Sequence, residues 1–250
     1  MYDAIVNPSD RGTAGMPVNA EFAEGLERYR RESLEARLGS LFKKIGLTVD
    51  DERMGKIFWY ASELWRWNRA YNLVSRKLEW EGLVELILDS LTPLSLKGLF
   101  RPGIRVLDVG AGAGMPGIPL LILSDGFELD LLEPIRKKVT FMRHVIRSLS
   151  LEGAKVIPER VESLSQSKGS GNTYDIVISR AAMLPWDFFK KAAPLLKEGG
   201  KALGFAGPGE VKEIRRESAT WAQRGLEMEG IKSVSRLTGK ENHLVIAKKI

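Results

Sequence analysis

Asp108-Val-Gly110-Ala-Gly112-Ala-Gly114 sets an acid two residues ahead of three alternating glycines, and it grows out of the β-branched run Ile104-Arg-Val-Leu-Asp-Val109. Glycine adopts backbone conformations closed to other residues and lets the main chain approach a ligand closely. In a dinucleotide-binding loop the third glycine follows three residues after the second and opens a helix beneath a pyrophosphate. The alternation here suits a ligand without phosphate. S-adenosylmethionine is such a ligand. Its sulfonium and ammonium groups are cationic, and Asp108 is a carboxylate that can lie near them. A tight structural turn is the other use of such a run.

Three further positions belong with this loop. Glu133 closes the segment Phe127-Glu-Leu-Asp-Leu-Leu132, 25 residues after Asp108. An acid at the end of a second strand binds ribose hydroxyls in nucleotide folds; otherwise it is a solvated strand end. Pro158-Glu-Arg-Val161-Glu162 follows the third strand, where the chain flanks an adenine, so Val161 and Glu162 are candidates for a contact to the ring. Ile178-Ser179-Arg180-Ala181-Ala182 follows the fourth strand. Ligands bind at the carboxyl ends of strands beside the topological switch, which directs Arg180 to the site instead of a surface ion pair.

Absences narrow the chemistry. The chain has no cysteine, which excludes a covalent cysteine nucleophile, thiolate metal sites and disulfides. No Asn/Asp-Pro-Pro-aromatic run follows the fourth strand, which disfavours methylation of an exocyclic base amine. What remains is direct displacement onto a good nucleophile such as guanine N7, whose lone pair needs no deprotonation. That reaction asks for in-line positioning and a suitable electrostatic setting. The two histidines, His144 and His243, fall within predicted elements and are assigned structural roles.

The elements that must position these residues alternate. Strands are predicted near 104–109, 127–132, 154–158, 174–179, 200–205, 226–234 and 242–248. Helices are predicted near 116–124, 135–149, 161–166, 186–196 and 209–222, with a polar loop from Ser167 to Thr173. Such alternation argues for an α/β fold with a doubly wound, mostly parallel, Rossmann-like sheet. Ahead of it, helical spacing of apolar residues over Glu21–Ile45, from Asp50 or Asp51 onward, and near 79–97 marks a helical extension. The expected organisation is a disordered tail over 1–20, a helical cap over 21–98 and a catalytic domain over 99–250. The 250 residues, 44% hydrophobic, are ample for one core without metal or disulfide. No run resembles a signal peptide or a membrane helix, so the expected location is cytoplasmic. A net charge of +6 is compatible with a nucleic-acid partner or with an ordinary basic enzyme surface.

Several segments together resemble the RsmG (GidB) family of small-subunit ribosomal RNA guanine-N7 methyltransferases. They are Trp67-Asn-Arg-Ala-Tyr71-Asn72-Leu73, Ile87-Leu-Asp89-Ser90-Leu91, Asp108 through Met115-Pro-Gly-Ile-Pro119, Lys137-Lys138, Arg160-Val161-Glu162 and Ile178-Ser-Arg180-Ala. The resemblance covers about residues 38–250. It implies a class I methyltransferase with a seven-stranded sheet and S-adenosylmethionine as cofactor. By position it puts Gly110, Met115, Val161, Glu162 and Arg180 in the cofactor site and matches Glu133 to the family's second-strand acid, beside Asp108, Gly112 and Gly114 from the motif itself. It implies ribosomal RNA or a small-subunit particle as partner, with Arg69, Asn72, Arg76, Lys137 and Lys138 as candidates to hold it, Arg180 at the reacting centre, no metal and a monomer. The chain departs from the family pattern at Leu86, Ala206 and Asn242, where polar or basic residues are usual. Two other functions stay open on that account: a diverged enzyme for another RNA or a small molecule, or a cofactor-binding, RNA-associated module with little catalysis.

Overall fold

The structure is a computed structural model that describes residues 20–124, 126–166, 171–180, 183–239 and 241–250. The expected tail lies outside the described residues except for Ala20, as do Ala181, Ala182 and the first four residues of the Ser167–Thr173 loop.

Seven strands form one sheet: β1 (Arg105–Val109), β2 (Glu128–Leu132), β3 (Ala154–Ile157), β4 (Tyr174–Ser179), β5 (Leu196–Ala206), β6 (Leu226–Ser233) and β7 (His243–Lys249). Their order is β3-β2-β1-β4-β5-β7-β6, and β7 runs antiparallel to both of its neighbours. The order reverses between β1 and β4, so their carboxyl ends open a crevice there. Helices α4 (Gly117–Ile122), α5 (Arg136–Ser148), α6 (Val161–Gln166), α7 (Pro185–Ala192) and α8 (Pro208–Ser218) alternate with the strands, and the short α9 (Ser235–Thr238) precedes β7. The central strands are covered on both faces, and β1 is buried from Val106 to Val109 for that reason.

Proline explains where predicted helices overran. The helix expected near 79–97 stops at Leu91, because Pro93 forces a 3-10 turn over Thr92–Ser95. The helix expected near 186–196 ends at Ala192, ahead of a 3-10 turn around Pro194. Strand β5 therefore starts at Leu196, four residues before the predicted 200.

Three helices precede the sheet: α1 (Ala20–Ile45), α2 (Asp51–Tyr71) and α3 (Trp80–Leu91). Their buried residues, among them Leu38, Ile57, Leu64 and Ile87, belong to one apolar cluster with Val106, Ile176 and Leu203 of the sheet and with α4 and α5. The opposite face packs Leu107, Val177 and Ala202 against Phe188, Phe189 and Trp221. At the amino edge, Arg105 joins Glu128 and Asp130, both at 3.1 Å, and Tyr174 donates to Asp130 at 2.8 Å. Strands β1, β2 and β4 are thus tied at the end remote from the crevice.

A shared core has a measurable consequence. Ile57 is fully buried where α2 meets this cluster. Ile57→Ala should cost about 2–5 kcal/mol and lower the midpoint of a single unfolding transition followed by both circular dichroism and tryptophan fluorescence. Two transitions, with the later one unmoved, would show that the helices fold apart from the sheet.

Candidate active site at the carboxyl end of the sheet

The chain leaves β1 and is drawn at once across the end of β2. The amides of Gly110 and Ala111 both donate to the Leu132 carbonyl, at 2.8 and 3.0 Å. Gly110, Gly112 and Gly114 hold φ of +68°, +61° and +92°, the left-handed region where a side chain is strained. At Gly114 a Cβ would also lie 2.3 Å from Ile118 Cδ1. The far end of the loop is anchored by the Gly117 amide, which donates to Asp108 Oδ2 at 2.8 Å. From the other side, the buried Tyr60 hydroxyl of α2 donates to the Ala113 carbonyl at 2.9 Å. The loop is therefore held by groups from β1, β2 and α2.

A cavity of about 350 Å³ opens on this loop, within the roughly 300–1,000 Å³ typical of small-molecule sites. Gly110, Gly112 and Met115 form one wall; Glu133, Ile135 and Lys138 form another; Arg180 closes the side toward β4; Leu73 and Val74 complete it from the α2–α3 connection. Glu133 is 4% exposed, and its two oxygens accept from the amides of Gly112 and Ile135, both at 2.9 Å. Lys138 Nζ stands 3.9 Å from it. Each carboxylate oxygen keeps a further lone pair for a hydroxyl donor. Beside it, Ile135 is 44% exposed and offers the cavity an apolar surface.

Arg180 leaves the end of β4 with Nη2 3.8 Å from Met115 Sδ. Burial pushes its guanidinium below the usual range, opposed by the neighbouring Asp89, Tyr60 and Asp108. Its Nε and Asp108 Oδ1 are both buried without a hydrogen-bond partner among the described residues. Buried polar atoms of this kind need an account, and a bound ligand or water is one.

The structure brings Gly110, Gly112, Met115, Glu133, Lys138 and Arg180 into one cavity and places other expected residues elsewhere. Asp108 is the carboxylate expected near the cationic end of the ligand. It is fully buried beneath the loop, where it serves the Gly117 amide. Gly114 lies under the loop against Ile118. The side chain of Val161 is packed in the second core, and that of Glu162 turns to an ion pair with Lys191. Neither side chain lines the cavity, which leaves only their backbone for a ring. Arg69, Arg76 and Lys137 are exposed outside it, and Asn72 caps α2 in the left-handed region while accepting from Arg76. Of the departures from the family pattern, Ala206 is buried opposite His243, Leu86 packs partly buried on the core, and Asn242 accepts from the His243 amide.

Sequence reasoning missed the contribution of α2. Asn68 is buried, accepts from the Val74 amide at 2.8 Å and donates to the Ser75 carbonyl at 3.2 Å, which sets the wall made by Leu73 and Val74. The signal was present as a polar residue on the buried stripe of an amphipathic helix. Ile135, an apolar residue two places after Glu133, was a similar signal for the cavity rim.

Among the described residues, no group of three or more His, Asp or Glu can hold a metal ion, and no helix is long and apolar enough to cross a membrane.

Comparison with known proteins agrees with this geometry. The family model described as "rRNA small subunit methyltransferase G" matches residues 53–245. "Ribosomal RNA small subunit methyltransferase G" of Syntrophotalea carbinolica is 33% identical over 86% of this chain and 98% of its own length. The protein of that name from Carboxydothermus hydrogenoformans is 34% identical over 87% and 92%. Among solved structures, a SAM-dependent methyltransferase from Aquifex aeolicus aligns with a TM-score of 0.51 at 17% identity, covering 76% of this chain and 98% of that one. The [4+2]-cyclase SpnF aligns at 0.53 and 13%, covering 70% and 84%. These two likenesses bear on the fold alone, and the second shows why function must be argued from the site.

The buried Asp108 generates a pH prediction. Burial lifts its carboxyl from 3.8 to about 7, against the opposing Gly117 amide and Arg180. Folding then takes up a proton between those values, so this group's contribution to stability is present below pH 3.8 and is lost as pH rises through about 7. Asp108→Asn keeps an acceptor for the Gly117 amide and cannot ionise. The difference in denaturation free energy between variant and wild type should grow with pH, by at most about 1.4 kcal/mol per unit within that window. A constant difference across it would place the carboxyl outside this environment.

Proposed function

Because the chain belongs to the rRNA small subunit methyltransferase G family, we propose that it transfers a methyl group from S-adenosylmethionine to N7 of a guanine in small-subunit ribosomal RNA, in the cytoplasm, as a single chain. The observation that carries the N7 assignment is the makeup of the cavity. Among the described residues its only ionisable side chains are Glu133, Lys138 and Arg180. Glu133 is occupied by two amides and faced by Lys138, and a guanidinium is a poor proton acceptor. No side chain there is suited to deprotonate a nucleophile, and a ring nitrogen with a free in-plane lone pair needs none.

The residues present fit the cofactor. Glu133 would receive the ribose hydroxyls, Ile135 would lie against the flat adenine, and the exposed main chain of Gly110 to Gly112 would border the rest. The bound cofactor supplies a methyl group made electrophilic by its sulfonium. The chain's work is then positional and electrostatic. Leu73, Val74 and Met115 exclude water from the crevice. Arg180, compensated by Asp89 and Asp108, fixes the potential at the reacting edge and orients the guanine, and it leaves N7 free to attack.

Glu133→Ala removes a charged acceptor, whose hydrogen bonds are worth about 1.5–3 kcal/mol, so calorimetry should find S-adenosylmethionine bound on the order of 10–150-fold more weakly. Gly110→Asp should abolish that binding. For the reaction itself, small-subunit RNA from cells lacking this methylation should gain a cleavage site diagnostic of N7-methylguanine when treated with the enzyme and cofactor. Transfer of methyl without such a site would point to another acceptor atom or to a diverged substrate.

A further inference from the structure

Two stretches of the chain are basic without relief. Residues 64–78 and 134–149 hold nine lysines and arginines and not one acid. Elsewhere the chain carries more acidic than basic residues, 32 against 29, out of totals of 32 acidic and 38 basic. The first stretch is the second half of α2 with the connection that follows; the second is α5. The fold sets them side by side, because Trp67 packs on Phe141 and His144 across the α2–α5 crease. Arg69, Arg76, Lys77, Arg136, Lys137, Arg143 and Arg147 are exposed there, and none makes an ion pair with a described carboxylate. Arg136, Arg143 and Arg147 share one stripe of α5, at seven- and four-residue spacings.

The crease between these charges is aromatic. His144 stacks on Trp67 at 5.2 Å and lies 5.7 Å from Trp59, with Tyr71 5.3 Å beyond Trp67. Trp59, Tyr71 and His144 are all partly exposed. Glu63 fixes the arrangement by accepting from Trp67 Nε1 at 3.1 Å and pairing with His144 Nε2 at 2.9 Å. Both ends of the crease nearest the sheet's carboxyl edge border the catalytic cavity, through Leu73 and Val74 on one side and Ile135 and Lys138 on the other.

Building on the proposed function, we infer that the α2–α5 face is the docking track for a single-stranded segment of the substrate RNA, whose phosphates lie on the two basic rows and whose bases meet the aromatic crease before one enters the cavity. Alternating cationic and aromatic surface is what a single strand needs, since every base has a face to stack and every linkage a charge to neutralise. Paired RNA withholds its base faces, so the same surface favours an unpaired loop.

The test is anisotropy of a fluorescent single-stranded RNA, and of the same RNA annealed to its complement, titrated with enzyme across a range of salt. Removing three phosphate contacts should flatten the plot of log K against log salt by about 2 and weaken binding roughly 100-fold near about 0.1 M salt. We expect this for R136Q/R143Q/R147Q, with S-adenosylmethionine affinity unchanged, and a similar change for R69Q/R76Q/K77Q. Lys97, Arg224 and Lys232 lie off this face, so K97Q/R224Q/K232Q should leave the slope as it is. Duplex should bind more weakly than single strand to the wild type and lose less in either track variant. An unchanged slope in both track variants, or an equal loss in the control, overturns the track even if the enzyme methylates RNA. Track behaviour as expected with no methyl transfer would instead sink the proposed reaction and leave the track standing.

Discussion

The hydrogen bond from the Gly117 amide to Asp108 is the contact on which the site depends. It joins the last turn of β1 to the first residue of α4, and the three glycines must cross the gap between them within a few residues. The Leu132 carbonyl then holds the near end, Glu133 the middle at Gly112, and Tyr60 the far side at Ala113. Because these partners come from β1, β2 and α2, the loop's shape is a property of the assembled core. The cost is a carboxylate sealed from water, pushed up to about 7 and partly compensated by Arg180.

That arrangement explains why the helices ahead of the sheet belong to the site. They share the apolar cluster beneath β1, β4 and β5, they deliver Tyr60 to the loop, and through Asn68 they set the wall made by Leu73 and Val74. The cavity therefore lies between the sheet's crevice and the helical segment, and any change in how α2 sits on α5 alters its width. The basic, aromatic face of the same two helices leads to the same opening, which links substrate capture to the geometry of the cofactor seat.

Much of this was legible in the residues. Strand positions followed largely from short apolar runs, and spacing singled out Gly110, Gly112 and Glu133, which line the cavity. The residues say least where tertiary contacts decide what a side chain meets. Asp108 reads as a ligand carboxylate because nothing in the chain announces that Gly117, nine residues on, turns back to claim it. Val161 and Glu162 follow the correct strand, yet one side chain is needed by the core and the other meets Lys191. Leu73 and Val74 carry no chemical signal at all; their part in the cavity comes from the bend that Asn68 imposes after α2.

A crystal structure with S-adenosylhomocysteine bound would test the central claim most directly. The account predicts ribose hydroxyls on Glu133, adenine against Ile135, the homocysteine portion along the glycine loop, and Asp108 still turned to the Gly117 amide. A ligand seated elsewhere, or a loop that releases Gly117 so that Asp108 can reach the ligand, would contradict it.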